Sequence, residues 1–236
     1  MARDAPDFSV GTVGLPPIMV NTMPILKNYP GGSVFYFDNF EGSDITWEII
    51  KEYSASYCHT EIDKTHAYIG AGCARLYRNE DQYVVMKLGR WFQFRPSDTI
   101  GIEFSFMVSD IAVVRVELTY EYEIGGILYR FFITFMGDYI TVSTPEGDYG
   151  YYCDPNYVFW NMVWSNIKVI INTKDHRYVR LYYGKDVFDI DHPAEVFSGG
   201  SNKSHYLSLG FLSYYDGSGA RSLWIDKVIL TDDETI

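Results

Sequence analysis

Cysteine is scarce in this chain. Cys58, Cys73 and Cys153 are the only three among 236 residues, an odd number with no CxxC spacing. Neither a disulfide framework nor a zinc site can therefore organise the fold, and buried free thiols are the expected state. Positive charge is also short: 19 Lys and Arg stand against 31 Asp and Glu, a formal charge of −12. With no basic cluster to offset that repulsion, nucleic acid is not an expected partner. No apolar run approaches the roughly 20 residues that span a bilayer, and the opening MARDAPDFSVG lacks the basic-then-apolar pattern of a secretion signal. The expectation is a chain with no membrane partner, cytoplasmically made or carried in a virion, and extracellular only if a signal was removed. The five histidines, His59, His66, His176, His192 and His205, show no HxxxH spacing, and neither a GxSxG elbow nor a phosphate-cradling glycine loop occurs. Transition-metal and nucleophilic chemistry are disfavoured accordingly. Helical periodicity is missing as well.

What is present is strand periodicity, clearest in VVRVELTYEYEIGGILYRFFITFM, residues 113–136. Val114, Val116, Leu118, Tyr120, Tyr122 and Ile124 alternate with polar residues, the period of two that a half-buried strand produces. Gly125-Gly126 supplies the positive φ of a two-residue hairpin loop. The implied register sets Tyr122 opposite Tyr129, Tyr120 opposite Phe131 and Leu118 opposite Ile133 on the core face. On the other face Glu121 falls opposite Arg130, with Phe132 among Glu117, Thr119 and Thr134. That face is available to a partner.

Residues 1–33 read differently, as an extended arm. Five prolines and four glycines forbid a helix, yet Phe8, Leu15, Ile18 and Met23 are among ten apolar side chains too many for a free linker. Packing back on the same domain or docking on a neighbouring subunit are the two outcomes. From residue 34 onward, short strands at 33–40, 84–88, 100–108 and 139–143 are bounded by Gly, Pro, Asn or Asp, and one domain is expected over 34–236. Many short strands and no helix argue an all-β, two-sheet antiparallel sandwich.

Three stretches carry a resemblance. They are Asp38, Phe40 and Glu41 followed by Trp47; Ala67, Tyr68, Gly70 and Leu76; and the last strand Trp224-Ile225-Asp226-x-Val228-x-Leu230. Together with residues 164–190 they resemble the concanavalin-like jelly rolls of carbohydrate-binding modules and laminin-G-like domains. The resemblance implies that the first and last strands pair, bringing Phe35 and Phe37 near Ile225, Val228 or Leu230. It also implies a structural calcium near those strands, where Asp38, Glu41 and Asp226 match, the bland alternative being a capped turn and a solvent-facing Asp226. Glycosidases of this fold carry E-x-D-x-x-E. The nearest stretch here, Glu117 to Glu123, has Thr119 in place of the aspartate and no carboxylate at the last position, so it reads as a solvated face.

The segment 148–164 gathers Tyr149, Tyr151, Tyr152, Tyr157, Phe159, Trp160 and Trp164, to be divided between core, protein interface and sugar platform. No catalytic set emerges, and the chain is expected not to be an enzyme. The functional expectation is a structural assembly protein, such as a virion decoration protein, in a homo-oligomer or larger assembly. It would dock through its arm and through Tyr151, Tyr157, Trp160 and the hairpin face of Glu121, Arg130 and Phe132. The alternative is a carbohydrate-binding module that stacks a glycan on surface aromatics.

Overall fold

A computed structural model of the chain describes residues 33–52, 55–79, 83–92, 97–110, 114–136, 139–152, 161–183, 186–198, 205–213 and 219–234. Of the arm expected over residues 1–33, only Ser33 is described, as the start of a strand; residues 1–32, with Phe8, Leu15, Ile18 and Met23, lie outside the described residues, as do Cys153, Tyr157, Phe159 and Trp160. In chain order the strands are β1 Ser33–Asp38, β2 Glu48–Glu52, β3 Cys58–Asp63, β4 Cys73–Arg78, β5 Val84–Phe92, β6 Thr99–Val108, β7 Val114–Ile124 and β8 Ile127–Met136. They continue as β9 Tyr139–Thr144, β10 Gly147–Tyr152, β11 Ser165–Asn172, β12 Arg177–Tyr183, β13 Asp186–Asp189, β14 Glu195–Ser198, β15 His205–Ser213 and β16 Arg221–Asp232. The only helical element among the described residues is a single 3-10 turn, Ala55–Tyr57.

Two eight-stranded antiparallel sheets result. The first runs β13-β12-β11-β6-β16-β4-β3, with β1 also on β16, and the second runs β10-β9-β8-β7-β15-β5-β2, with β14 also on β8. The hairpin forms in the register its alternation dictates: Tyr122 faces Tyr129, Tyr120 faces Phe131, and Gly125 and Gly126 take φ of 60° and 80°. The first and last strands pair as expected, with Phe37 opposite Ile229 and Asp38 opposite Val228.

The core lies between the inner faces of the sheets, where Ile102, Phe104 and Phe106 of β6 meet Leu118, Tyr120, Phe131 and Phe135 of the hairpin. Phe104 meets Phe135 edge-on across the two layers, centroids 6.0 Å apart. Each large apolar side chain buried there contributes about 1.5–3 kcal/mol. Cys58 and Cys73 are both buried.

Two strands change neighbours along their length. One edge of β16 pairs with β4 over Arg221–Ile225 and with β1 over Val228–Asp232, and the bulge between them holds Lys227 at φ 53°. Asp226 keeps to the outer face of the sheet with Trp224, opposite Ser105, yet it is completely buried and not open to solvent, because the amides of Tyr68 and Ile69 close over its carboxylate. One edge of β8 pairs with β14 over Ile127–Arg130 and with β9 over Ile133–Met136. The outward face of the hairpin is also less solvated than its carboxylates imply, since Glu117 and Thr119 are buried.

Candidate functional site

Outward positions of five adjacent strands in the second sheet build a cavity of about 320 Å³. Strand alternation sends Thr119 and Glu121 outward from β7, and Arg130 and Phe132 from β8. It does the same for Tyr206 and Ser208 on β15, Lys87 on β5 and Ile50 and Glu52 on β2, all of which line the cavity. Arg130 Nε donates to Glu121 Oε1 at 2.5 Å, and its guanidinium lies 4.4 Å over the Phe197 ring. Lys87 Nζ reaches Glu117 Oε2 at 3.0 Å. It crosses Gly210 to do so, where a Cβ would stand 2.7 Å from the Lys87 side chain. Both cations are therefore committed to glutamates.

Beside these ion pairs is an aromatic platform. Trp91 stands opposite Tyr206, their centroids 4.2 Å apart at 33°, and Trp91 keeps 39% of its surface exposed. Burial, helped by Glu48 and Glu121, pushes the Tyr206 phenol up to about 12, so at neutral pH it stays a hydroxyl that can donate. The same burial raises the Glu195 carboxyl, which sits opposite Arg130 on β14. A flat apolar ring flanked by hydroxyls and charged hydrogen-bonding groups is the chemistry that a sugar ring presents in complement.

Of the residues expected from sequence, Glu121, Arg130 and Phe132 come together here. Tyr151 does not: it packs against the core, 5.8 Å and edge-on to Phe188. Tyr157 and Trp160 lie outside the described residues. Sequence reasoning missed Trp91, Tyr206 and Lys87, although Lys87, Gly89 and Trp91 alternate with Met86 and Leu88 in a readable pattern.

The three carboxylates matched to calcium separate into two groups. Asp38 is engaged by Tyr36, Trp47 and the Phe40 amide. Glu41 and Asp226 instead meet at residues 68–71: Asp226 Oδ2 accepts from the amides of Tyr68 and Ile69, and Glu41 Oε1 from that of Ala71. Asp226 Oδ1 is buried with no hydrogen-bond partner. Burial, with the Glu41 charge adding to it, pushes the Asp226 carboxyl up to about 6. An orphaned buried carboxylate oxygen fits a hard cation. No three His, Cys, Asp or Glu side chains gather into a metal-holding group among the described residues, so further ligands would be carbonyls or water.

No family model and no curated protein matches the chain. Solved structures do. The chain is similar to an endo-β-1,4-glucuronan lyase from the fungus Trichoderma reesei, with a TM-score of 0.60 at 10% identity over 86% of this chain and 98% of that one. It is similar to the cellulose induced protein Cip1 (TM-score 0.52, 14% identity, 83% and 96% covered). It is also similar to the catalytic domain of an endo-1,3-β-glucanase (laminarinase) from Thermotoga petrophila RKU-1 (TM-score 0.51, 10% identity, 86% and 99% covered). At these identities the likeness shows the fold, a concanavalin-like jelly roll. It also corrects the expectation that the chain is no enzyme, because two of these three similar proteins are enzymes by name.

Proposed function

We propose that the chain binds a neutral glycan on the outward face of its second sheet, in the cavity beside the Trp91–Tyr206 platform. The observation that carries this reading is that pair of rings, centroids 4.2 Å apart and tilted by 33°, next to Glu121, Arg130, Ser208 and Lys87. Two proteins that share the fold, the glucuronan lyase and the laminarinase, act by name on polysaccharides, which supports a glycan ligand. A neutral glycan is favoured over a polyuronate because a uronate carboxylate needs an uncommitted cation, and Lys87 and Arg130 are already bonded to Glu117 and Glu121. The competing assembly reading rests on residues 1–33, on Tyr151, Tyr157 and Trp160 and on the same hairpin face of Glu121, Arg130 and Phe132; of these only Ser33, Tyr151 and the hairpin face are among the described residues, and the hairpin face lines the cavity.

Calorimetric titration of soluble β-1,3- and β-1,4-glucans and of polyglucuronate into the purified chain tests the reading. Binding of a neutral glucan, lost in Trp91→Ala, is the expected result, and the same mixtures should be assayed for new reducing ends or unsaturated products. Polyglucuronate binding alone would overturn the neutral class, and an absence of binding to every glycan would overturn the whole reading.

A further inference from the structure

The Trp91–Tyr206 platform has a counterpart built in the same way. Tyr139 of β9 stands opposite Tyr152 of β10, their ring centroids 4.8 Å apart at 42°, and Tyr152 is 73% exposed. An exposed tyrosine alone means little on a protein surface. What carries weight is the repeated construction.

In each place an aromatic residue follows a glycine by two positions: Gly89 and Trp91 in one strand, Gly150 and Tyr152 in the other. A Cβ on Gly89 would lie 1.9 Å from the Tyr206 hydroxyl, and a Cβ on Gly150 would lie 1.9 Å from the Tyr139 hydroxyl. Each facing tyrosine therefore lies along the sheet over bare glycine backbone instead of standing up from it. Opposite each glycine is a hydroxyl side chain, Ser208 for Gly89 and Thr141 for Gly150. Thr141 in turn hydrogen-bonds Thr134 of β8.

The register puts both platforms on one face. Tyr206 is opposite Glu121, which is opposite Arg130, while Tyr139 is opposite Met136, and residues 130, 132, 134 and 136 of β8 alternate outward together. Three strand spacings of about 4.8 Å and six residues of about 3.3 Å separate the two tyrosines, roughly 25 Å along the diagonal of the sheet. Phe132, Thr134 and the Lys87–Glu117 pair occupy the ground between them.

We infer that Tyr139 and Tyr152 form a second subsite for the same glycan, so that the ligand is an extended neutral polysaccharide crossing the sheet diagonally and not a terminal mono- or disaccharide. This rests on the glycan reading above. One sugar ring covers one platform, whereas a chain of several hexoses reaches both and gains the second contact as an intramolecular step. Tyr152 sits at the exposed edge of the sheet, so its truncation leaves the core untouched.

The test compares cellobiose with cellohexaose, and laminaribiose with laminarihexaose, by calorimetry on the parent chain, Tyr152→Ala and Trp91→Ala. For whichever glucan binds, the hexasaccharide should bind the parent at least about tenfold more tightly than the disaccharide. Tyr152→Ala should weaken the hexasaccharide about three- to tenfold while leaving the disaccharide unchanged, and Trp91→Ala should weaken both. A hexasaccharide that binds the parent no more tightly than the disaccharide, or that is indifferent to Tyr152→Ala, overturns the second subsite and leaves the first standing. Failure of the parent to bind any of the four sugars removes both.

Discussion

The hydroxyl of Tyr178, carried by β12 in one sheet, accepts the backbone N–H of Phe132 in the other at 2.6 Å, and lies 3.1 Å from the carbonyls of Phe132 and Ser143. This is the point where β8 has left β14 and has not yet met β9, so its ladder lacks a neighbouring strand. A phenol crossing the core replaces the missing backbone partner. Burial raises its pKa far above the ordinary value, which keeps the proton in place.

Tyr178→Phe should therefore cost about 1–3 kcal/mol, because it removes the acceptor of a buried N–H and the one proton that the two carbonyls share, while keeping the ring. Chemical denaturation read by circular dichroism measures it. Because Phe132 lines the cavity, glycan affinity should fall as well. A variant as stable as the parent would show that the strand break is closed by something else.

Gly89 and Gly210 lie on the same outward face and predict opposite consequences. A Cβ at Gly89 meets the Tyr206 hydroxyl, the far end of a side chain that can swing away. A Cβ at Gly210 would meet the Met86 carbonyl at 2.1 Å and the Lys87 Cα at 2.7 Å, both backbone. Gly89→Ala should leave the melting temperature within a few degrees of the parent and reduce glycan affinity by displacing the ring. Gly210→Ala should destabilise the sandwich by about 1–3 kcal/mol as the β5–β15 pairing is forced apart. If Gly89→Ala binds glycan like the parent, the flat ring is not part of the site.

The hairpin and the pairing of the first and last strands were legible in the sequence because each depends on local alternation or a short motif. Glu121, Arg130 and Phe132 were legible for the same reason, since a two-residue loop fixes every opposite pair. Trp91 and Tyr206 were not, because β5 and β15 are separated by more than a hundred residues and nothing local states that they pair. The role of Tyr178 is hidden for the same reason: only the stacking of two sheets brings it to Phe132. Tyr151 misled because Tyr152 beside it is exposed, while alternation turns Tyr151 to the opposite face, where it packs against the core.

His205 is buried against Tyr120 and Tyr122, its Nδ1 sharing a 2.8 Å hydrogen bond with the Tyr120 hydroxyl, and burial pushes its pKa down to about 4. The unfolded chain holds its proton up to about pH 6.5, so between these values the unfolded state binds more protons and stability falls as pH falls. Asp226, raised to about 6 by burial, gives the opposite slope over the same interval. The parent alone therefore shows only the difference. His205→Gln should remove a contribution of order 1–2 kcal/mol to the acid-side loss between pH 6.5 and 4, making the variant less pH-sensitive than the parent relative to its own pH 7 value. Parallel stability curves for the two chains would contradict a neutral buried imidazole.

The orphaned oxygen of Asp226 gives the last test. The neighbouring ammonium of Lys227 is already paired with Glu103 at 3.0 Å, so it does not answer for Asp226 Oδ1. Glu41, itself exposed, approaches from the other side of residues 68–71, and its charge adds to the burial that disfavours an ionised Asp226, a repulsion that a cation between the two carboxylates would relieve. Calcium suits such a place, taking these carboxylates with backbone carbonyls and water. At a hundredfold excess over its Kd it would add about 2.7 kcal/mol, roughly 5 to 10 °C in melting temperature for a chain of this size. Asp226→Asn should abolish that increment and Glu41→Gln reduce it, whereas Asp38→Asn should lower stability with and without calcium alike, because Asp38 serves Tyr36 and Trp47. Melting curves of the parent that superimpose in calcium and in EGTA would assign Asp226 to the loop amides alone.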